Sequence, residues 1–147
     1  MKTIKILTLM LLMILSTPCH AAICTFTLVN PVNFGNYNPF SSASDDSVGS
    51  LRLLCVGAPS PTGYTLTLGS GNSGKFTARY LSNGAEHLNY NLYKDAAMTQ
   101  IWGDTGSSVA VINDNGNIVR NVYGRIPAGQ DVAVGSYNDT ILVTINF

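Results

Sequence analysis

The amino-acid sequence predicts an all-β protein, and three observations carry this prediction. After residue 22, no segment combines a sustained helical period with helix caps. Short runs rich in β-branched and aromatic residues recur instead, separated by clusters of Gly, Asn, Ser and Pro. The connections between these runs are irregular in length, and an early disulfide could tie neighbouring strands. These features favour a sandwich over a closed barrel.

Residues 1–21 have the features of a secretory signal peptide. Lys2 and Lys5 form a positive start, residues 6–15 form an apolar run, and small residues precede a predicted cleavage after Ala21. The run is about half the length of a membrane-spanning helix. We therefore expect an exported mature chain, residues 22–147, that does not insert into a membrane. A lipid anchor on Cys19 is less favoured, because Pro18 stands where a small residue is required.

The mature chain suits one domain with its own core, since 126 residues remain after cleavage. Loss of the two signal lysines leaves six basic and eight acidic residues, a formal net charge of −2. Charged residues make up only 11% of the chain. Nucleic acid is not an expected partner, because its binding depends on clustered Lys and Arg.

Nine segments of the mature chain are predicted as strands. The alternation is clearest in 88–93, where Leu88, Tyr90 and Leu92 fall on one face and two asparagines fall on the other. Turn-forming clusters such as Asn83-Gly84 separate the segments. The predicted strands are Cys24–Val29, Val32–Tyr37, Val48–Val56, Tyr64–Leu68, Ala78–Leu81, Leu88–Tyr93, Val109–Ile112, Ile118–Ile126 and Asp139–Phe147.

Two cysteines, Cys24 and Cys55, remain in the mature chain. In an oxidising compartment they most simply pair with each other. The loop that they close has a sequence separation of 31 residues, and the chain-entropy model gives such a disulfide roughly 3.5–4 kcal/mol of stabilisation. A redox or metal role would require a C-x-x-C spacing or histidine partners, which the mature chain lacks.

The C-terminal segment is unusually apolar for the end of a chain. Ile141, Val143, Ile145 and Phe147 alternate onto one face, and Leu142 adds apolar surface to the other. At a sheet edge, such a strand would invite the addition of a strand from another chain. The sequence alone leaves open whether an earlier strand of the same chain covers it.

Several motifs together resemble the spore coat protein U domain, which is shared by subunits of archaic (Csu-type) chaperone–usher pili. The resemblance spans about residues 24–147 and follows the order of the family. The motifs are Val32-Asn33-Phe34-Gly35-Asn36-Tyr37, Cys55 closing an apolar strand, Leu88-Asn89-Tyr90-Asn91-Leu92-Tyr93 with Trp102-Gly103-Asp104, Tyr123-Gly124-Arg125-Ile126-Pro127 with Gly129-Gln130, and Gly135-Ser136-Tyr137-Asn138-Asp139-Thr140.

The resemblance implies an immunoglobulin-like sandwich that lacks its last strand and is completed by donor-strand complementation. The implied partners are a periplasmic chaperone that lends a strand, an outer-membrane usher, and a neighbouring pilin subunit whose N-terminal extension replaces the lent strand. Such pili serve attachment to surfaces and biofilm formation. The final strand of the family borders the acceptor groove, and its residues correspond here to Ile141, Val143, Ile145 and Phe147.

The resemblance also implies structural roles for other residues. Cys24 and Cys55 match the family's disulfide. Tyr123, Gly124 and Pro127 match a motif interpreted as a structural turn, in which Gly124 permits an unusual backbone angle and Pro127 fixes one. The remaining motif positions with an expected structural role are Phe34, Gly35, Tyr37, Tyr90, Tyr93, Trp102 and Gly103.

Catalytic and ligand-binding interpretations are weaker. His87 beside Glu86 is interpreted as a solvated strand end, because a catalytic site requires converging titratable groups. The segment Asn113–Asn117 resembles the start of a calcium loop, but the bidentate Glu is missing. Trp102 could stack on a sugar, although burial at the sandwich edge is favoured. No enzyme activity, cofactor or metal is expected.

Two functional classes therefore remain: a polymerising pilus subunit, and a self-contained secreted binding module or a spore or cyst coat protein. Within the first class, cleavage after Ala21 leaves only Ala22 and Ile23 before Cys24. Two extended residues reach about 7 Å, too short to fill a neighbour's groove. We therefore expect a subunit that accepts a strand without donating one, and hence a tip or terminal position.

Overall fold

The computed structural model describes residues 23–56, 63–113 and 118–146, and it confirms an all-β sandwich. Two single-turn 3-10 helices, Gly71–Ser73 and Gly106–Ser108, interrupt the strands. The strands are β1 (Ile23–Asn30), β2 (Asp45–Val56), β3 (Tyr64–Leu68), β4 (Arg79–Asn83), β5 (Glu86–Tyr93), β6 (Ala110–Ile112), β7 (Val119–Ile126) and β8 (Val143–Asn146).

The strands form two antiparallel sheets of unequal size. The larger sheet has the order β1-β2-β7-β5-β4, and the smaller sheet has the order β6-β3-β8. Strand β2 is the longest described strand, and its Ser50–Val56 part pairs with β1 while its Asp45–Arg52 part pairs with β7. The first strand is thus an outer strand of the larger sheet, and the last described strand is an outer strand of the smaller one.

The core lies between the two sheets. Alternate residues of each strand face it, as the period of two requires, and β3 shows this most clearly with its pattern of buried and half-buried residues. The buried apolar side chains are Leu51, Leu53, Tyr64, Leu66, Leu68, Leu88, Tyr90, Leu92, Trp102, Ile112, Val122 and Ile126.

The prediction of a strand at Val32–Tyr37 is wrong, because this segment is irregular. It crosses the inner face of the larger sheet, and Gly35 has a positive φ of 71°, a conformation that glycine adopts without strain. Two glycines of the sheet make room for the crossing. A Cβ at Gly49 would lie 2.8 Å from Val32 Cγ2, and one at Gly124 would lie 2.8 Å from Phe34 Cζ.

The interpretation of Gly124 as a residue with an unusual backbone angle is also wrong. Gly124 lies inside β7, and its φ is not positive. The residue is a glycine because the irregular segment passes directly over it. Pro127 follows the end of β7, where the chain leaves the sheet and turns through Gly129, whose φ is 73°.

The final predicted strand, Asp139–Phe147, is shorter in the structure. Regular pairing covers Val143–Asn146, whereas residues 139–142 are irregular and Phe147 lies outside the described residues. The other boundaries differ from the prediction by a few residues at most, and β3 matches it. The shortening has a physical cause, since side-chain and backbone contacts of Asn138 and Asp139 hold the chain away from the extended path.

Candidate functional site

No described strand pairs with the outer edge of β8. Leu142 O accepts a hydrogen bond from Gly69 N at 2.8 Å, and the β3–β8 register continues from that pair. Because successive residues of an antiparallel strand face opposite edges, Val143 and Ile145 direct their N–H and C=O groups away from β3. Their half-buried side chains pack against the core, while Leu142 is 72% exposed.

The outer edge of β1 has the same character. Among the described strands, β1 pairs with β2 alone. The directly opposed Cys24 and Cys55 form a disulfide with a Cα–Cα distance of 4.0 Å, which is the close spacing of a non-hydrogen-bonded pair. Cys24 and, two residues later, Phe26 therefore direct their backbone groups away from β2. The Phe26 side chain is 37% exposed.

An apolar groove of about 560 Å³ lies between these two edges. Residues of β2, β3, β5 and β7 form its floor, and the flanking segments 26–34 and 139–143 form its walls. Since a strand at this position would meet outward-facing backbone groups on both sides, the groove has the shape and chemistry of a strand-accepting site. Its apolar lining includes Phe26, Val32, Phe34, Leu51, Leu68, Leu81, Leu92, Val122, Ile141, Leu142 and Val143.

One end of the groove carries a polar cluster centred on Asp139. The Tyr90 hydroxyl donates to Asp139 Oδ2, and Asn72 N donates to Asp139 Oδ1, both at 2.8 Å. Burial, followed by the hydrogen bond to Asp139, raises the pKa of Tyr90 well above its ordinary value. The Tyr90 ring also packs edge-on against Phe34, with ring centroids 5.9 Å apart.

Two buried side chains attach β3 to the larger sheet. Arg79 of β4, which is 0% exposed, donates from Nη2 to Leu68 O and Trp102 O at 2.9 and 2.8 Å. Trp102 is 2% exposed, and its indole N–H donates to Leu66 O at 3.0 Å. The prediction that Trp102 is buried is confirmed, and this burial leaves no free ring face for a sugar. Because β3 is the partner of β8, these contacts also help to hold β8 in place.

A second cavity of about 650 Å³ lies between segments 32–39 and 132–139. One of its lining residues, Tyr37, belongs to a hydrogen-bond network. The Tyr37 hydroxyl donates to Pro127 O at 3.2 Å and accepts from Gln130 N at 2.8 Å, and the Gln130 amide pairs with both backbone groups of Asn89 at 2.8 Å. The motif residues Tyr37 and Pro127 thus meet, although 90 positions separate them.

Other motif residues lie on the outer face of the larger sheet, away from the groove. Tyr93 and Tyr123 are directly opposed on β5 and β7. Beside them, Arg125 forms a two-pronged ion pair with Asp46 at 2.6 and 2.7 Å, and hydrogen bonding to Arg125 lowers the pKa of Asp46. The face is exposed, so this pair belongs to the solvated surface.

Of the candidate catalytic and metal residues, the structure describes His87 and Glu86 at the end of a hairpin. The His87 ring stacks on Tyr80 with centroids 3.8 Å apart, on the exposed end of the β4–β5 hairpin. Most of the calcium-like segment 113–117 lies outside the described residues. Within 23–56, 63–113 and 118–146, no group of three or more His, Cys, Asp or Glu could hold a metal ion. No helix in these ranges is long and apolar enough to cross a membrane.

Sequence reasoning missed Arg79, Asn72 and the paired role of Tyr90 and Asp139. One signal was available, because Arg79 stands between apolar residues in a predicted strand, where an arginine must have partners if it is buried. The partners themselves are mostly backbone carbonyls of distant residues, and these leave no mark in a sequence.

The fold and groove define the class of protein: a β-sandwich with an apolar groove between the first and last described strands. The comparison with family models agrees, since residues 11–144 match the Spore Coat Protein U domain. The chain belongs to this family, as the motif resemblance predicted.

Two individual proteins illustrate the similarity. Protein U of Myxococcus xanthus is 33% identical over 127 residues, which cover 79% of this chain and 71% of that protein. A similar fold occurs in the crystal structure of the CsuC–CsuE chaperone–tip adhesion subunit pre-assembly complex from archaic chaperone–usher Csu pili of Acinetobacter baumannii. That match has a TM-score of 0.55 and 23% identity, and it covers 86% of this chain but 40% of the solved chain.

Proposed function

We propose that this protein is a structural subunit of a chaperone–usher surface pilus and that it accepts a donated β-strand in the groove between β1 and β8. The observation that carries the proposal is a pair of strand edges, on either side of one apolar floor, that no other described strand covers. An exposed edge of this kind promotes aggregation unless it is covered. A donated strand forms hydrogen bonds with the backbone groups of both edges and buries the exposed apolar floor, so it removes both causes of aggregation.

The partners follow from this mechanism. A periplasmic chaperone lends the covering strand during transit, an outer-membrane usher receives the complex, and another pilin subunit supplies the permanent strand. Membership of the family and the likeness to a fold solved as part of a chaperone complex support this set of partners. The assembled pilus is displayed at the cell surface, where it serves adhesion and biofilm formation.

The position in the fibre is part of the proposal. Ile23 is paired with Val56, and Cys24 is bonded to Cys55, so a segment donated to a neighbour must come from residues before Ile23. With cleavage after Ala21, the remaining segment is too short to fill a groove. The subunit therefore accepts a strand without donating one, which places it at the tip or terminus.

A charge placed on β8, whose outer edge is here called the accepting edge, tests the strand-accepting function. In Val143→Asp, the carboxylate enters the apolar contact between β8 and the core, and charge burial without a partner is strongly unfavourable. Thr144→Asp is the matched control, because Thr144 is exposed on the opposite face of the same strand. We expect the Val143 variant to lose co-purification with the periplasmic chaperone and the Thr144 variant to retain it.

The mature chain should also gain heat stability when it is mixed with a synthetic donor peptide from a co-encoded subunit. Normal chaperone binding by Val143→Asp, together with unchanged melting in the presence of donor peptides, would contradict the proposal. A soluble, monomeric protein that needs no added strand would instead favour a self-contained binding module.

A spore or cyst coat protein is the second candidate, and the match to the Spore Coat Protein U domain supports it. The two candidates differ in where the protein accumulates. A pilus subunit should be recovered from sheared surface fibres of growing cells, whereas a coat protein should appear only on dormant cells. Immunoblotting of both fractions from one culture distinguishes them.

A further inference from the structure

The chain that leads into β8 is held by one carboxylate. Asp139 Oδ1 accepts hydrogen bonds from Asn72 N and from its own neighbour Thr140 N, both at 2.8 Å. Asp139 Oδ2 accepts from the Tyr90 hydroxyl at 2.8 Å. Three donors, from the 71–73 turn, from β5 and from the segment itself, therefore converge on a single side chain.

The residues around the Asp139 carboxylate pack closely against it and hold the neighbouring residue in place. A Cβ at Gly71 would overlap Asp139 Oδ2, so only glycine fits at that position. The preceding residue, Asn138, exchanges two backbone hydrogen bonds with Ser82 of β4 at 2.8 and 3.1 Å. The Asn72 side chain donates to Asn138 O at 3.1 Å. Residues 138 and 139 are thereby fastened to the larger sheet and to the 71–73 turn.

The accepting edge begins immediately after these contacts. Ile141, Leu142 and Val143 line the groove, yet regular pairing of β8 starts only at Val143. The hydrogen bond from Gly69 N to Leu142 O is the backbone contact that holds the chain between Asp139 and Val143. The path of this stretch is therefore set largely by the anchor at Asp139.

We infer that Asp139 is a positioning residue for strand acceptance, whose carboxylate holds segment 138–142 in the receiving conformation while the groove is empty. The inference rests on the proposed strand-accepting function. A site whose competent conformation is only partly populated binds more weakly by that fraction. Once a donor is bound, its own hydrogen bonds hold the edge, so loss of the anchor slows association more than it speeds dissociation.

The test compares two aspartates of similar local role. Asp95 also accepts from three donor groups, Thr99 N, Thr99 Oγ1 and Gln100 N, and Thr99 N is shared between its two carboxylate oxygens. Asp95 lines neither cavity. Asp139→Ala and Asp95→Ala therefore each remove the acceptor of three donor groups, one beside the groove and one away from it. The probe is a synthetic peptide of about fifteen residues with apolar side chains at alternate positions, and its binding rates to the mature chain are measured by surface plasmon resonance.

Asp139→Ala should slow association by about tenfold or more, a change of about 1.4 kcal/mol, while dissociation stays nearly constant. Asp95→Ala should leave both rates unchanged even where it lowers the melting temperature. Asp139→Asn keeps an acceptor for Asn72 N and should recover most of the association rate. If Asp139→Ala fails to fold, Tyr90→Phe, which removes one hydrogen bond and keeps the ring, should show the slower association.

Equal association rates in wild type, Asp139→Ala and Tyr90→Phe would overturn the inference while leaving the proposed function intact. So would equal slowing by Asp139→Ala and Asp95→Ala, because the effect would then reflect general destabilisation. Failure of the wild-type chain to bind any donor peptide would overturn the proposed function, and this inference with it.

Discussion

At the scale of the residue, Arg79 has the most demanding environment in the described part of the chain. Its guanidinium is fully buried, and burial lowers the pKa of this group. All three nitrogens of the guanidinium have acceptors. Nε and Nη2 donate to Gly69 O at 3.0 and 2.7 Å, and Nη1 donates to Asn91 Oδ1 at 2.8 Å. Charge-assisted hydrogen bonds of this kind join the sheets at the end of β3.

Replacing this arginine should be far more harmful than replacing an exposed one. Arg79→Met keeps the bulk of the chain but leaves buried carbonyl acceptors without donors, and we expect a loss of about 3 kcal/mol in the free energy of unfolding. Arg125→Met is the control, because its ion pair with Asp46 is 37–39% exposed and such pairs contribute less than about 1 kcal/mol. Urea denaturation of both variants measures the difference, and similar losses would show that Arg79 has no special role.

At the scale of the element, the irregular segment 31–37 determines how the larger sheet is built. It lies over Gly49 and Gly124 of that sheet, and it separates the groove from the second cavity, since Val32 and Phe34 line both. Aromatic and β-branched residues made this segment resemble a strand in the sequence. The glycines that receive it lie on other strands, and only the three-dimensional arrangement connects them.

A methyl group at the crossing point should displace this segment. In Gly124→Ala, the new Cβ would lie 2.6 Å from Val32 Cγ1, and overpacking of this kind destabilises by about 1–3 kcal/mol. Gly63→Ala is the control, because its nearest neighbour, Ile112 O, is 3.5 Å away. Thermal unfolding should show a lower melting temperature for Gly124→Ala and little change for Gly63→Ala. Equal melting temperatures would mean that the segment adjusts without strain.

At the scale of the whole molecule, local patterns predicted the strands and the fold class well, because alternation and turn residues are short-range signals. The apolar face of Ile141, Val143 and Ile145 was visible for the same reason. The groove itself was not predictable from residues alone, since its floor comes from strands far apart in sequence. The positions of Arg79 and Asp139 depend on backbone partners, which composition and spacing do not encode.

The N-terminus and the disulfide of the exported protein can both be measured. We expect the mature chain to begin at Ala22 and to carry one disulfide, between Cys24 and Cys55. The intact mass of periplasmic material, measured before and after reduction and alkylation, should show cleavage after Ala21 and two newly alkylated thiols. A longer N-terminal segment would remove the basis of the tip assignment, and two free thiols before reduction would contradict the pairing.

The disulfide also has a mechanical consequence. An outer strand held only by hydrogen bonds can be peeled from its sheet one residue at a time when its end is pulled. In this protein, the bond between Cys24 and Cys55 lies one residue from the start of β1, directly across from β2. Tension that a strand bound in the groove applies to β1 therefore passes through a covalent link into β2. One wall of the groove consequently keeps its shape under loads that would unzip an uncrosslinked strand.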